Sequence, residues 1–239
     1  MTSGGLALEG VSRDFAGVRA VRRVTLRVGP GEVVGLVGPN GCGKTTLVNL
    51  ASGALAPTEG TIAVGGVDLT GAASPRFARA GVVRTFQNLR LFERMSVLDN
   101  VVVGAQRGVR PSLVGAWART PRFRRREREL RERAMRALEG VGLAALAEQG
   151  VSALSHGQRR RVELARAFAA DPAYLVLDEP GAGVDPDHLA RLAELIGERR
   201  AAGVGVLLVE HDTGLLERVS DRVAGMVDGA VVAEGPYPA

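Results

Sequence analysis

One stretch of this chain packs three glycines just ahead of its only lysine. Residues 38–46 read Gly38-Pro39-Asn40-Gly41-Cys42-Gly43-Lys44-Thr45-Thr46, a full match to the G-x-x-x-x-G-K-[ST] pattern. Glycines there let the backbone curl so that successive N–H groups face phosphate oxygens. Lys44 is placed to reach the β- and γ-phosphates, and the Thr45 hydroxyl to coordinate Mg²⁺. The chemistry this predicts is binding of a nucleoside triphosphate. A second constellation, Tyr174-Leu175-Val176-Leu177-Asp178-Glu179, is an apolar run ending in two carboxylates. Asp178 suits a Mg²⁺ shell opposite Thr45, and Glu179 suits the orientation and deprotonation of an attacking water. Cys42 reads in two ways: a small side chain that fits the loop, or a thiol activated by the helix start and the ammonium. The second reading predicts that maleimide blocks nucleotide binding.

These residues need elements to hold them. The loop follows the apolar run Val33 to Val37 and precedes the helical pattern Thr46 to Ser52, the strand–loop–helix context the motif requires. Further short apolar runs at Tyr174 to Leu177, Val204 to Val209 and Val223 to Val227 alternate with helical patterns, which predicts α/β with a mostly parallel sheet. Strand candidates at Leu6 to Val11, Val24 to Val28, Thr61 to Val64 and Gly81 to Phe86 predict an antiparallel β portion joined to that core, with Gly29-Pro30-Gly31 as a sharp turn. Between Met95 and Gln149 strand signals give way to helical windows, among them Val97 to Ala105 and Arg125 to Leu138. We therefore expect one domain over residues 1–239, with a helical lobe at about 95–165 inserted in the α/β core. The Arg-rich run from Arg119 to Arg136 is interleaved with Glu127, Glu129 and Glu132. It fits either a solvated helix with i,i+4 charge pairs or a contact with a membrane-associated partner or anionic headgroups.

Composition narrows the class. The chain has 239 residues, 46% of them hydrophobic, enough for a sizeable core and unlike a disordered chain. Of its 31 basic residues 30 are Arg, and the net charge is +5; with only 4% aromatic residues, little is available for base stacking. A single cysteine excludes an intrachain disulfide and favours a reducing compartment. No apolar run approaches the roughly 18 residues of a membrane-spanning helix, and no secretory signal is visible at the start.

Upstream of the acidic strand stands Leu154-Ser155-His156-Gly157-Gln158, opening the helical run Val162 to Ala170. Together with the two constellations above, it resembles the ATP-binding-cassette (ABC) ATPases, whose signature is Leu-Ser-Gly-Gly-Gln. The resemblance covers nearly the whole chain. It implies a P-loop NTPase fold of ABC type, a mixed sheet core with an antiparallel β portion and an inserted helical lobe. It further implies ATP and Mg²⁺ as ligands. Phe15 matches the aromatic that stacks on adenine, Gly38 to Thr46 Walker A, and Gln87 the Q-loop residue that touches Mg²⁺ or water. Ser155, Gly157 and Gln158 match the signature, Asp178 and Glu179 Walker B and the catalytic glutamate, Asp185 the D-loop, and His211 the switch histidine. His156 stands where the consensus has Gly, and Gly181-Ala182-Gly183-Val184-Asp185 departs from Ser-Ala-Leu-Asp.

Arg84-Thr85-Phe86-Gln87-Asn88-Leu89-Arg90-Leu91-Phe92, Met95 to Val101, the Arg-bearing insertion and Val209-Glu210-His211-Asp212 make the chain similar to the branched-chain amino-acid uptake ATPases. Urea- and amide-uptake ATPases, and lipid or lipopolysaccharide export ATPases, are the alternatives within the family. The resemblance implies an ATPase that drives transmembrane transport in a head-to-tail dimer, with itself or with a second, LivF-like ATPase. It also implies two permease subunits, an external binding protein reached indirectly, no nucleic acid, and a peripheral place on the cytoplasmic face of the cell membrane. A GTPase would need an Asn-Lys-x-Asp motif, which a chain with Lys44 as its only lysine cannot supply.

Overall fold

The computed structural model describes residues 4–85, 91–107, 120–182, 186–211 and 213–237. The chain divides into two compact units, Met1–Gln87 with Pro172–Ala239, and Asn88–Asp171.

The first unit holds two sheets. One has four strands in the order β2-β1-β4-β5, where β1 is Leu6–Phe15, β2 Val18–Val28, β4 Glu59–Val64 and β5 Val67–Asp68. All its pairings are antiparallel. The other has six strands in the order β10-β9-β3-β8-β7-β6, where β3 is Val33–Val37, β6 Val82–Arg84, β7 Tyr174–Asp178, β8 Gly205–Val209, β9 Arg222–Val227 and β10 Ala230–Gly235. Its pairings are parallel except for β9 with β10. β7 and β8 are buried along their whole length, so they read as unbroken apolar runs rather than as an alternation. Helices α1 (Lys44–Ala51), α2 (Ser74–Arg79), α6 (Pro186–Ala201) and α7 (Thr213–Val219) belong to this unit. The expected antiparallel portion is present, and β2 is longer than its sequence signal. Arg23 lies at φ 45 and the β1–β2 register shifts three times, so the period-2 pattern is interrupted where β2 begins.

The second unit is helical among its described residues: α3 is Val97–Ala105, α4 Pro121–Gly140 and α5 His156–Ala169, with 3₁₀ turns at Ala144–Leu146 and Val151–Ala153. Each long helix has a polar start. Ser96 Oγ accepts from Asp99 N, Thr120 Oγ1 from Phe123 N, and Ser155 Oγ from Gln158 N, the N-cap geometry that satisfies first-turn donors. α4 buries only Ala134, Ala137 and Leu138. Its Arg125–Glu129 pair, 3.0 Å apart and highly exposed, is the i,i+4 arrangement of a solvated face. Gly104 lets α3 approach α5, because a Cβ there would lie 2.3 Å from Arg166 O.

Candidate functional site

Three neighbouring parallel strands, β3, β8 and β7, run side by side. The chain leaving their carboxyl ends carries Gly38 to Thr46 after β3, His211 after β8, and Asp178 with Glu179 at the end of β7. Residues as far apart in sequence as Gly38 and His211 are thereby gathered at the carboxyl end of one set of strands. Carboxyl ends of parallel strands are where open α/β sheets bind ligands.

The phosphate loop is shaped by what lies behind it. A Cβ at Gly38 would stand 2.2 Å from Met226 O, and one at Gly43 2.3 Å from Ala20 O, so β9 and β2 exclude side chains at both positions. Gly43 is also the N-cap of α1, at φ 106 and ψ 4, and makes no side-chain cap bond. No acidic residue lies in the first turn of α1. That end of the helix therefore offers its N–H groups and positive dipole to an anion without a competing carboxylate. Lys44 is buried, and its Nζ donates to Gly38 O at 2.7 Å and Pro39 O at 2.9 Å. Pro39, Asn40, Gly41 and Thr45 are exposed and Thr46 is half-buried. Cys42 is 4% exposed and packs in the hydrophobic core. Of its two sequence readings, burial favours the small side chain that fits and corrects the reactive thiol, because an enclosed sulfur is shielded from reagents.

At the end of β7, Asp178 is buried and its Oδ2 receives Arg84 Nη2 at 3.0 Å. Its backbone N–H donates to Thr85 Oγ1 at 3.3 Å. Arg84 also donates through Nη1 to Asn49 Oδ1 and, at 3.4 Å, to Ser52 Oγ. Glu179 takes a left-handed backbone, φ 50, fixed by its N–H donating to Val209 O at 2.9 Å. This turn out of the strand leaves the carboxylate partly exposed, and Glu179 Oε1 lies 3.1 Å from His211 Nε2. A non-glycine residue held at positive φ beside a histidine is the kind of local strain found at working sites.

Sequence reasoning passed over Glu210. It is buried, and its two oxygens accept from Gly181 N at 2.6 Å and His211 N at 3.1 Å. One carboxylate thus ties the loop after Glu179 to the histidine that faces it. Only its place next to His211 in the sequence could have suggested this.

Phe15 ends β1 with a ring 41% exposed, and Arg13 Cζ stands 4.8 Å from its centroid. In the helical unit, Ser155 and Gln158 form a reciprocal capping box: Ser155 N donates to Gln158 Oε1 at 2.8 Å, and Gln158 N to Ser155 Oγ at 3.3 Å. The Ser-x-x-Gln spacing alone carries that local signal. His156 is exposed at the first position of α5. A Cβ on Gly157 would meet nothing within 4 Å, so nothing in its own surroundings demands glycine there. Gln87 and Asp185 lie outside the described residues.

The family model described as ABC transporter matches residues 21–182. The high-affinity branched-chain amino acid transport ATP-binding protein BraF of Pseudomonas aeruginosa is 41% identical over 231 residues, 96% of this chain and 91% of that protein. The high-affinity branched-chain amino acid transport ATP-binding protein LivG of Escherichia coli K12 has the same identity and coverage. Among solved structures, the ADP conformation of MJ1267, an ATP-binding cassette of an ABC transporter, superposes with a TM-score of 0.82 and 31% identity, covering 98% of this chain and 92% of that one. A phosphate loop, an acidic strand end and a facing histidine at the carboxyl end of one set of strands agree with those matches, and the chain belongs to the ABC transporter family of ATP-binding cassettes.

Proposed function

We propose that this chain is the ATP-hydrolysing subunit of an importer for branched-chain amino acids. The observation that carries the chemistry is the 3.1 Å approach of His211 Nε2 to Glu179 Oε1, the histidine following β8, which lies beside the strand that feeds the phosphate loop, and the glutamate following β7, one strand further on. Glu179 orients the attacking water and takes its proton, while His211 holds that carboxylate and the γ-phosphate in register. Lys44 and the α1 N–H groups bind the β- and γ-phosphates and stabilise charge as it develops on them. Phe15 offers the adenine an exposed aromatic face, and Gln87, the residue the family resemblance assigns to Mg²⁺ or the water, is part of the proposed site.

Mg²⁺ is the metal this family implies, and the donor types here suit it. Thr45 is an exposed hydroxyl and Asp178 a carboxylate oriented by the hydrogen bond its Oδ2 accepts from Arg84. Among the described residues no group of three or more His, Cys, Asp or Glu could form an all-protein cage. Hard oxygen donors in small number suit an ion whose shell is completed by phosphates and water. When bound it would supply charge neutralisation at the phosphates.

The second unit is read as the helical lobe of a single cassette. Ser155, Gly157 and Gln158 there would serve a nucleotide on another cassette in a head-to-tail dimer, with Asp185 near the same interface. The space around Gly157 supports this, since a glycine its own unit does not require is suited to close approach from outside. Among the described residues no helix is long and apolar enough to cross a membrane; the proposed transporter places this chain on the cytoplasmic side of two permease subunits. The relatives named for branched-chain amino acid transport supply the substrate class. The test is purification from the native membrane, to identify the co-purifying ATPase and permeases, followed by uptake of labelled leucine and labelled urea with and without this subunit. Loss of leucine uptake alone supports the proposal. Loss of urea uptake with leucine uptake intact overturns the substrate, and ATP turnover by Glu179→Gln at the wild-type rate overturns the mechanism.

A further inference from the structure

Arg84 sits where three elements meet. Its Nη2 donates to Asp178 Oδ2 at 3.0 Å on β7, and its Nη1 donates to Asn49 Oδ1 on α1. The guanidinium is 8% exposed and the aspartate 2%. One planar cation therefore spans from a helix to a strand end, which a lysine, with a single nitrogen, could not do in the same geometry. On α1, Asn49 follows Thr45 by four residues, so the two lie on one face of the helix, a turn apart. Thr45 and Asp178 are the two side chains assigned above to hold Mg²⁺. They are thus tied to each other through Asn49 and Arg84.

We propose that Arg84 is a positioning residue that sets the spacing and angle between the two metal-binding side chains, and so sets the affinity for the metal–nucleotide complex. The inference rests on the reading of Thr45 and Asp178 as metal donors. Hydrogen-bonded partners behind a ligating carboxylate typically change metal affinity about 10–100-fold when removed. The brace acts from behind. Arg84 approaches Asp178 through Oδ2 and fixes the rotation of the carboxylate, while Thr85, also buried, fixes the backbone of the same residue through Asp178 N. Both braces come from the segment leading into Gln87, so whatever moves that segment also moves the metal-binding carboxylate.

The experiment measures affinity for a fluorescent ATP analogue in EDTA and in Mg²⁺, with direct Mn²⁺ binding by electron paramagnetic resonance. Wild type is compared with Arg84→Lys, Asn49→Ala and Asp178→Asn. Arg84→Lys keeps the charge and loses the fork. Asn49→Ala keeps the Arg84–Asp178 pair and removes the Asn49 link to α1, leaving only the longer 3.4 Å contact with Ser52 Oγ at the end of that helix. The expected result is nucleotide affinity in EDTA within about twofold of wild type, with the tightening caused by Mg²⁺ reduced about tenfold in Arg84→Lys and several-fold in Asn49→Ala. Mn²⁺ binding should weaken in parallel. A full Mg²⁺ effect in both variants overturns the proposal, and if Arg84→Lys does not fold, Asn49→Ala decides alone. If Asp178→Asn also keeps the full Mg²⁺ effect, the assignment of the metal site itself is wrong, a different failure that this fourth protein identifies.

Discussion

His211 Nε2 stands 3.1 Å from Glu179 Oε1, although the two residues leave different strands. Glu179 is 25% exposed and His211 47%, so the pair is open to a water and a phosphate yet restrained from behind. Replacing Glu179 by Gln keeps the shape and removes the base. We expect single-turnover ATP hydrolysis to fall about 10²–10⁴-fold with ATP binding retained. A fall in binding with unchanged hydrolysis of bound ATP would contradict this assignment.

Glu210 is the less obvious member of the group. Glu210→Ala strips the acceptor from Gly181 N and His211 N; a fully buried donor left unsatisfied costs about 1–3 kcal/mol, and these two, being only part-buried, cost less than that. We expect a lower urea midpoint and a slower ATPase, because the loop after Glu179 and the histidine lose their common anchor. Unchanged urea denaturation would show that the two amides find other partners.

Cys42 gives a clean accessibility test. Its thiol is enclosed in the core, so native protein should react with maleimide slowly, and the rate should climb as denaturant populates open states. Fast labelling in native buffer would restore the reading of an activated thiol.

Acid sensitivity is expected at the turn before β3. Burial pushes the Glu32 carboxyl up, but Arg222 Nε at 2.7 Å and the Gly29 N–H at 2.6 Å outweigh it and leave the group below its ordinary value of 4.5. The folded state therefore holds Glu32 ionised more strongly than the unfolded chain does. Its stabilising contribution is present above pH 4.5 and is lost as pH falls below that value towards the lowered folded one. Glu32 is only partly buried, so solvent screens the pair and the effect is modest. Melting curves of wild type and Glu32→Gln from pH 7 to about pH 3 should converge at the acid end; a constant gap would contradict this.

Most of the site was legible because its residues are chemically unusual at their spacing. Packing alone seldom calls for a glycine-rich loop around one lysine, or for an apolar strand that ends in Asp178-Glu179. Strands β7 and β8 were legible for a related reason, since burial on both faces writes an unbroken apolar run. β10 was missed: it is an edge strand with three consecutive exposed residues, Val232, Ala233 and Glu234, and only Val231 packs against the core, so burial writes no alternating pattern into it. Helix α2 is only six residues long, too short for an apolar periodicity to show. Glu210, Arg84 and Asn49 were silent because their roles arise from partners distant in sequence. An isolated Arg or Glu in a chain with 24% charged residues carries no signal of its own.

The lysine with which the chain's chemistry begins does not wait idle for a phosphate. Two carbonyls of its own loop, those of Gly38 and Pro39, already take hydrogen bonds from Lys44 Nζ. With Lys44 as the phosphate ligand proposed above, nucleotide capture would be an exchange rather than a simple gain, in which phosphate oxygens compete with main-chain oxygens for one ammonium. The loop has a rehearsed shape, so little ordering entropy is lost when ligand arrives, while part of the charge attraction goes to displacing the carbonyls. On the same proposal release would run the exchange backwards, with Gly38 and Pro39 at hand to take the lysine as product departs.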